Sequence, residues 1–219
     1  SSTSRSASPC SAPPTPTPPP LQHLAFTRKE DQNAFGSIFT VLEDGTELQQ
    51  LTDDLVEDEA AAWSPDGEWV LFTSRLAGNR DIWVMDRDGN RQRNLTQHPE
   101  DDWMPAWSPD GERVAFASHR DGNWEIYVSK ADGNDPVRLT ESDGPDLCPN
   151  WSPDGERIAF ASQRDGNWEI YVVGTDGSRL SRLTTNEATD FAPAWAPTGD
   201  EIAFETYRDG DMEIYVLSL

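Results

Sequence analysis

Positive charge is scarce in this chain of 219 residues: 17 lysines and arginines face 40 aspartates and glutamates, leaving a net charge of −23. Such a surface repels a phosphate backbone, which excludes nucleic acid and anionic membrane surfaces as partners. Histidine is limited to His23, His98 and His119, and neither a G-x-S-x-G elbow nor an H-E-x-x-H pair is present to organise a nucleophile or a zinc ion. The chain therefore reads as a non-enzyme. No apolar run approaches the roughly 18 to 20 residues that a membrane-crossing helix requires, and residues 1–20 lack the basic start and apolar middle of a signal peptide. Membrane insertion is not expected. A sustained 3.6-residue apolar period is missing throughout, which leaves little room for helix. Cysteine occurs twice, as Cys10 and Cys148, permitting one disulfide without proving an oxidising compartment.

What the chain has is repetition. WSPDG stands at 63–67, 107–111 and 151–155 and fades to WAPTG at 195–199, always 44 residues on. Thr52, Thr96, Thr140 and Thr184, each after leucine, keep that interval, as do Phe39, Trp83, Tyr127, Tyr171 and Tyr215. A period in this range marks a solenoid, propeller or array. Within 147–184 the runs CPNWS, RIAFAS, WEIYVV and SRLT are cut by SPDG, RDGN and TDGS, turn signals with glycine where a positive φ is needed. Each unit is expected to be a four-stranded antiparallel meander, strands A to D, joined by tight hairpins.

A lone meander cannot cover both of its faces. Radial stacking covers them, with the Trp, Phe and Tyr side chains between neighbouring blades. The unit also resembles the TolB-type propeller repeat, through W-S-P-D-G, then I-A-F-x-S-x-R, then I-Y-V, then R-L-T, over residues 21–219. That resemblance implies a propeller that binds other proteins. TolB proteins carry six blades and a separate α/β domain, with no counterpart among these repeats, so their particular partners are not carried over. Residues 21–52 supply strands B, C and D, three full units follow, and 190–219 supply A, B and C. The expectation is an all-β, five-bladed β-propeller at 21–219 behind a Ser/Pro-rich tail at 1–20.

Three sets of residues are candidates for function. Asp58, Asp102, Asp146 and Asp190 each precede the repeat tryptophan by five residues, where strand A begins at one mouth of the channel. Two readings stand: a ring of carboxylates binding a hard cation such as Ca2+, or ion pairing with Arg120, Arg164 and Arg208 of the B–C turns, where Asp121, Asp165 and Asp209 add further carboxylates. Cys10 and Cys148 form a candidate disulfide. Pro14, Pro16 and Pro18 would direct their missing N–H groups to one edge while Thr15 and Thr17 keep theirs on the other, as an innermost strand A of the first blade requires. Residues 1–9 would then stand in the register of the last blade's missing strand D. Filling it within the same chain closes a monomer; filling it in a neighbour gives a head-to-tail polymer. The Asn-x-Ser/Thr triplets at 94–96 and 150–152 fall in expected strands and read as accidental. Ser/Thr/Pro tracts are common in exported proteins, so the expected setting is extracytoplasmic, with copies of itself or another protein as partner.

Overall fold

A computed structural model describes residues 23–29, 34–53 and 55–219. Every regular element is a strand. The first blade holds β1 (His23–Arg28), β2 (Ser37–Leu42) and β3 (Gln49–Gln50), and the second β4 (Asp58–Trp63), β5 (Trp69–Ser74), β6 (Asp81–Asp86) and β7 (Arg93–Asn94). The third holds β8 (Asp102–Trp107), β9 (Arg113–Ser118), β10 (Glu125–Lys130) and β11 (Val137–Arg138). The fourth holds β12 (Asp146–Trp151), β13 (Arg157–Ser162), β14 (Glu169–Gly174) and β15 (Ser181–Arg182). The fifth has β16 (Asp190–Trp195), β17 (Glu201–Thr206) and β18 (Glu213–Ser218) and, among the described residues, no fourth strand. Each blade is an antiparallel meander, and the five make a β-propeller. No helix among the described residues is long and apolar enough to cross a membrane.

The repeated pentapeptide is a self-contained turn. The Ser108 carbonyl accepts from the Gly111 N–H at 2.9 Å, while the Ser108 Oγ accepts from the Arg113 N–H at 2.9 Å and donates to Asp110. Asp110 in turn accepts from the Glu112 N–H at 3.0 Å. Gly111 has φ 72°, which explains why the glycine survives even in WAPTG, where Ala196 removes the serine hydroxyl and Gly199 keeps φ 79°.

Strand A carries a device that the repeat pattern did not announce. Ala60, Met104, Cys148 and Ala192, in one column, have φ between 49° and 56°, and the pairing of A with B slips at each. This is a β-bulge: two residues face one on the partner strand, and the local twist increases. Pro105, Pro149 and Pro193 follow the bulged residue, where no ladder N–H is lost.

The core lies between blades. Each blade presents one face, made by small and branched residues of B and C and the leucine of D, to an opposite face of the next blade made by its Phe, Tyr and Trp. Ala159, Ala161, Ile170 and Val172 of the fourth blade thus pack with Ile202, Phe204, Trp195 and Tyr215 of the fifth. The same union joins the third to the fourth, the second to the third and the first to the second. Arginines strap these seams, with Arg113 over Trp151 at 4.5 Å and Arg157 over Trp195 at 4.6 Å. A Cβ on Gly133 would come within 2.3 Å of the Leu95 carbonyl oxygen of the preceding blade, so the seam requires glycine there.

Among the described residues the two end faces are uncovered. Among the described residues no strand of the fifth blade packs broadly on a strand of the first. Ile38, Ile82, Ile126 and Ile170 are fully buried in one column, whereas Ile214 in the same column is 66% exposed and Val216 is 58% exposed. On the first blade Leu24 is 55% exposed where Val70, Val114, Ile158 and Ile202 are buried. The same substitution should therefore have opposite effects along one column. Ile170→Ala is expected to cost about 3 kcal/mol and Ile214→Ala less than about 0.5 kcal/mol in urea denaturation of dilute protein. Equal losses would mean that Ile214 is covered.

Candidate functional site

The aspartate ladder sits at the head of strand A, where each residue's N–H is held by the preceding blade: Asp102 by the Arg80 carbonyl, Asp146 by that of Trp124 and Asp190 by that of Trp168, all at 2.9 Å. Burial of the carboxylate is matched by a guanidinium. Arg120 reaches Asp102 at 3.1 Å, Arg164 reaches Asp146 at 2.8 Å and Arg208 reaches Asp190 at 3.1 Å. Each arginine also donates through Nε to the hydroxyl closing strand B, Ser118, Ser162 or Thr206, and lies 4.6, 4.8 or 4.4 Å over the ring of Tyr127, Tyr171 or Tyr215. The expected ion pairing is present in these three blades. Among the described residues no three His, Cys, Asp or Glu side chains gather as a metal-binding group.

The second blade breaks the pattern. Leu76 occupies the arginine position, and Asp58, only 3% exposed, keeps its Oδ1 without a hydrogen-bond partner among the described residues. Burial pushes the Asp58 carboxyl above its ordinary pKa, against hydrogen bonds from Ser74 and Thr52.

A second ladder, missed in the sequence, ties strand D to strand C. In the fourth blade Arg182 donates to Glu169 at 2.7 Å, to Asp165 at 2.9 Å and to the Thr184 carbonyl at 2.7 Å, while the Thr184 hydroxyl donates to Glu169 and accepts from the Ile170 N–H at 2.9 Å. The third blade repeats this with Arg138, Glu125, Asp121, Thr140 and Ile126. Asp165 also accepts from Tyr171, which holds that carboxyl below its usual range, and the Tyr171 hydroxyl is pushed up to about 12, by burial first and then by the carboxylate. The signal was available: glutamate opens strand C in the units where arginine precedes Leu-Thr.

In the fifth blade the receiving half of this ladder stands alone. Tyr215 donates to Asp209, yet neither Asp209 nor Glu213 has an arginine partner among the described residues, and the outer edge of β18 pairs with nothing there. The asparagine ladder ends here too. Asn79, Asn123 and Asn167 each clamp two carbonyls of the connection to the next blade at 2.9–3.1 Å, and Asp211 replaces them.

Cys10, Pro14, Thr15, Pro16, Thr17 and Pro18 lie outside the described residues. Cys148 is half-buried with its sulfur 3.2 Å from that of Met104, and burial pushes its thiol up to about 12. The asparagines of the two Asn-x-Ser/Thr triplets have structural work: Asn94 donates to Asp81 at 2.7 Å, and Asn150 accepts from the Trp195 N–H at 2.8 Å. A cleft of about 580 Å³ lies between the second and third blades and is lined by Trp69, Trp107, Asp66, Asp110 and Asp132 among others.

Residues 100–219 match the family model of the TolB β-propeller domain. The chain belongs to the TolB β-propeller domain family. Residues 22–125 of this TolB-type propeller also match the model of the Tricorn protease N-terminal β-propeller domain. Among solved structures, a protein of Agrobacterium tumefaciens described as TolB aligns over 92% of the chain and 78% of its own length at 23% identity, TM-score 0.76. TolB from Acinetobacter baumannii aligns over 90% of the chain and 50% of its own length at 21% identity, TM-score 0.77. A puromycin-hydrolyzing peptidase of Mycobacterium tuberculosis aligns over 90% of the chain and 36% of its own length at 20% identity, TM-score 0.65. At these identities the likeness is one of fold. No curated protein sequence matches the chain.

Asp58, buried without a guanidinium among the described residues, gives a pH test. A carboxyl whose folded pKa is raised contributes stability in full below the unfolded value of about 3.9, and that contribution is lost as pH rises through the folded value. Asp58→Asn, which keeps the shape and removes the charge, should be more stable than the parent at pH 7 by about 1–2 kcal/mol, the gap closing as pH falls towards 4. Leu76→Arg should supply the missing guanidinium and weaken that pH dependence, without abolishing it, because burial holds the Asp102 carboxyl above its ordinary pKa even beside Arg120. Asp146→Asn should instead destabilise, by about 2–3 kcal/mol, because Arg164 loses its charge partner. Thermal melts across pH 4–8 read all three, and a stabilised Asp146→Asn would contradict the pairing.

Proposed function

We propose that this TolB-type propeller is a non-catalytic, extracytoplasmic structural and interaction protein that joins head to tail with copies of itself through its N-terminal segment. One observation carries the reading: among the described residues the outer strand of the fifth blade is unpaired and exposes an apolar face that earlier blades bury, and the first blade exposes the complementary face. Every internal seam joins one face of the first kind to one of the second, so two copies offer each other a matching pair. A contact of this heterologous kind repeats along one direction and builds a fibre unless it closes into a ring. Strand addition by residues 1–9 to the edge of β18 would supply the backbone hydrogen bonds, with residues 14–18 forming the innermost strand of the first blade. The Ser/Pro composition of the tail supports the extracytoplasmic setting.

Removing residues 1–9 is the test. The full chain should form polymers whose mass rises with concentration in analytical ultracentrifugation, and the truncated chain should fold but sediment as a monomer. Polymers of the truncated chain would overturn the role of the tail.

The alternative reading is a monomeric exported or periplasmic accessory module with a Ca2+-binding acidic mouth at Asp58, Asp102, Asp146 and Asp190. The unpartnered Oδ1 of Asp58 is the observation in its favour. A ligand that binds only the folded state stabilises by mass action, so a chelator should lower the melting temperature and millimolar calcium should restore it. No shift in either direction would end this reading. The Cys10–Cys148 bond is proposed with both readings, and two free thiols per unreduced chain would refute it.

A further inference from the structure

Among the described residues no strand fills the fourth position of the fifth blade, and that position is more specific than a bare edge. Its lining can be compared with the filled positions beside it. Glu125 and Glu169 each receive an arginine and a threonine hydroxyl from strand D, and Asp121 and Asp165 receive the same arginine from the side. The N–H of Ile126 and Ile170 is capped by that threonine at 2.9 Å. The fifth blade repeats the acceptors at the same offsets: Glu213, Asp209 and the N–H of Ile214. All three are without a strand-D partner among the described residues, and Glu213 and Asp209 are exposed. A cleft of about 240 Å³ lined by Phe204, Tyr215, Val216 and Leu183 opens beside them.

The chemistry that fits is an extended segment presenting one guanidinium between two carboxylates. In water such a pair is worth little, but a fork held by Glu and Asp together on a strand edge fixes the register of the incoming chain. Charge narrows the source. In a chain of net charge −23, residues 1–22 contain no acidic side chain and a single charged one, Arg5, set among serines too small to clash with a neighbouring blade. The surface that would receive it carries Asp209, Asp211 and Glu213 in succession along the chain, with Glu205 on the adjoining strand.

Resting on the head-to-tail reading above, we infer that Glu213 and Asp209 form an arginine receptor that selects the incoming strand, and that its occupant is Arg5 of a second copy. With Arg5 at the position of Arg182, Ser6 falls at that of Leu183 and Ala7 at that of Thr184. The tail therefore reproduces the arginine of the filled sites and lacks their leucine and hydroxyl. The guanidinium carries the selection, and the fit is open to improvement.

Sedimentation velocity of the full chain and its variants over a concentration series tests this. Arg5→Ala and Glu213→Gln should each raise the concentration needed for half-assembly about tenfold, and the double variant should be no worse than either alone, because both remove one interaction. Ser6→Leu with Ala7→Thr, which writes Ser-Arg-Leu-Thr into the tail, should lower that concentration about tenfold by capping Ile214 and adding a donor to Glu213. Assembly of Arg5→Ala at the parent concentration overturns the receptor while leaving strand addition intact, provided deletion of residues 1–9 still abolishes it. Additive losses in the double variant overturn the pairing of Arg5 with Glu213. If the full chain stays monomeric, the head-to-tail reading falls; a lowered melting temperature in monomeric Arg5→Ala would then place Arg5 in its own fifth blade, and an unchanged one would remove it from the site, each overturning a second copy as occupant.

Discussion

The seam between consecutive blades is the constraint on which the rest of the structure depends. A four-stranded meander has two faces to bury and no helix with which to cover them, so each sheet must be the lid of the next. The chain meets this with one asymmetric contact used again and again, small and branched residues such as Ala159 and Ile170 on one side and Phe204 and Trp195 on the other. Glycine at 133 and arginine at 113 and 157 serve the same contact, the first by close approach and the others by lying over the next blade's tryptophan.

The polar ladders are consequences of that packing. Bringing blades together buries the head of strand A, and the cost of a buried carboxylate there is offset in three blades by Arg120, Arg164 and Arg208. Strand D is two residues long and would hold weakly by its backbone alone; Arg182 and Thr184 fasten it to Glu169 and to the Ile170 N–H. Where one member of a ladder is missing, the rest show it. Among the described residues, Asp58 without an arginine has an unpaired oxygen, and Glu213 without a strand D is exposed.

Much of this was legible in the residues. The strands of the fourth unit, expected at RIAFAS and WEIYVV, fall at Arg157–Ser162 and Glu169–Gly174, because turn glycines and aromatic runs punctuate a β-meander without ambiguity. Asp102 with Arg120 was legible as one of two readings, since spacing puts both at one mouth but cannot say whether they touch. The bulge at Ala60, Met104, Cys148 and Ala192 was not legible: alanine, methionine and cysteine give no local signal for positive φ, and the tertiary demand of the inner strand imposes it. The Glu169–Arg182 ladder was overlooked although both columns were visible, because a charged residue at a strand end reads first as solvated.

Among the described residues one face of each kind and the outer edge of β18 have no partner, and the edge is where the proposed head-to-tail contact can be tested. In the fourth blade Ile170 and Val172 direct their amides to strand D, Ile170 to Thr184 and Val172 in register with Ser181; Ile214 and Val216 occupy those positions in the fifth. Amide hydrogen exchange resolved at these four residues, in dilute and in concentrated protein, is the most direct measurement. The account predicts that Ile214 and Val216 exchange at least about a hundredfold faster than Ile170 and Val172 in dilute protein, and that concentration closes the gap. Equal protection of all four amides in dilute monomer would contradict it, because the edge of the fifth blade would then already be filled from within its own chain.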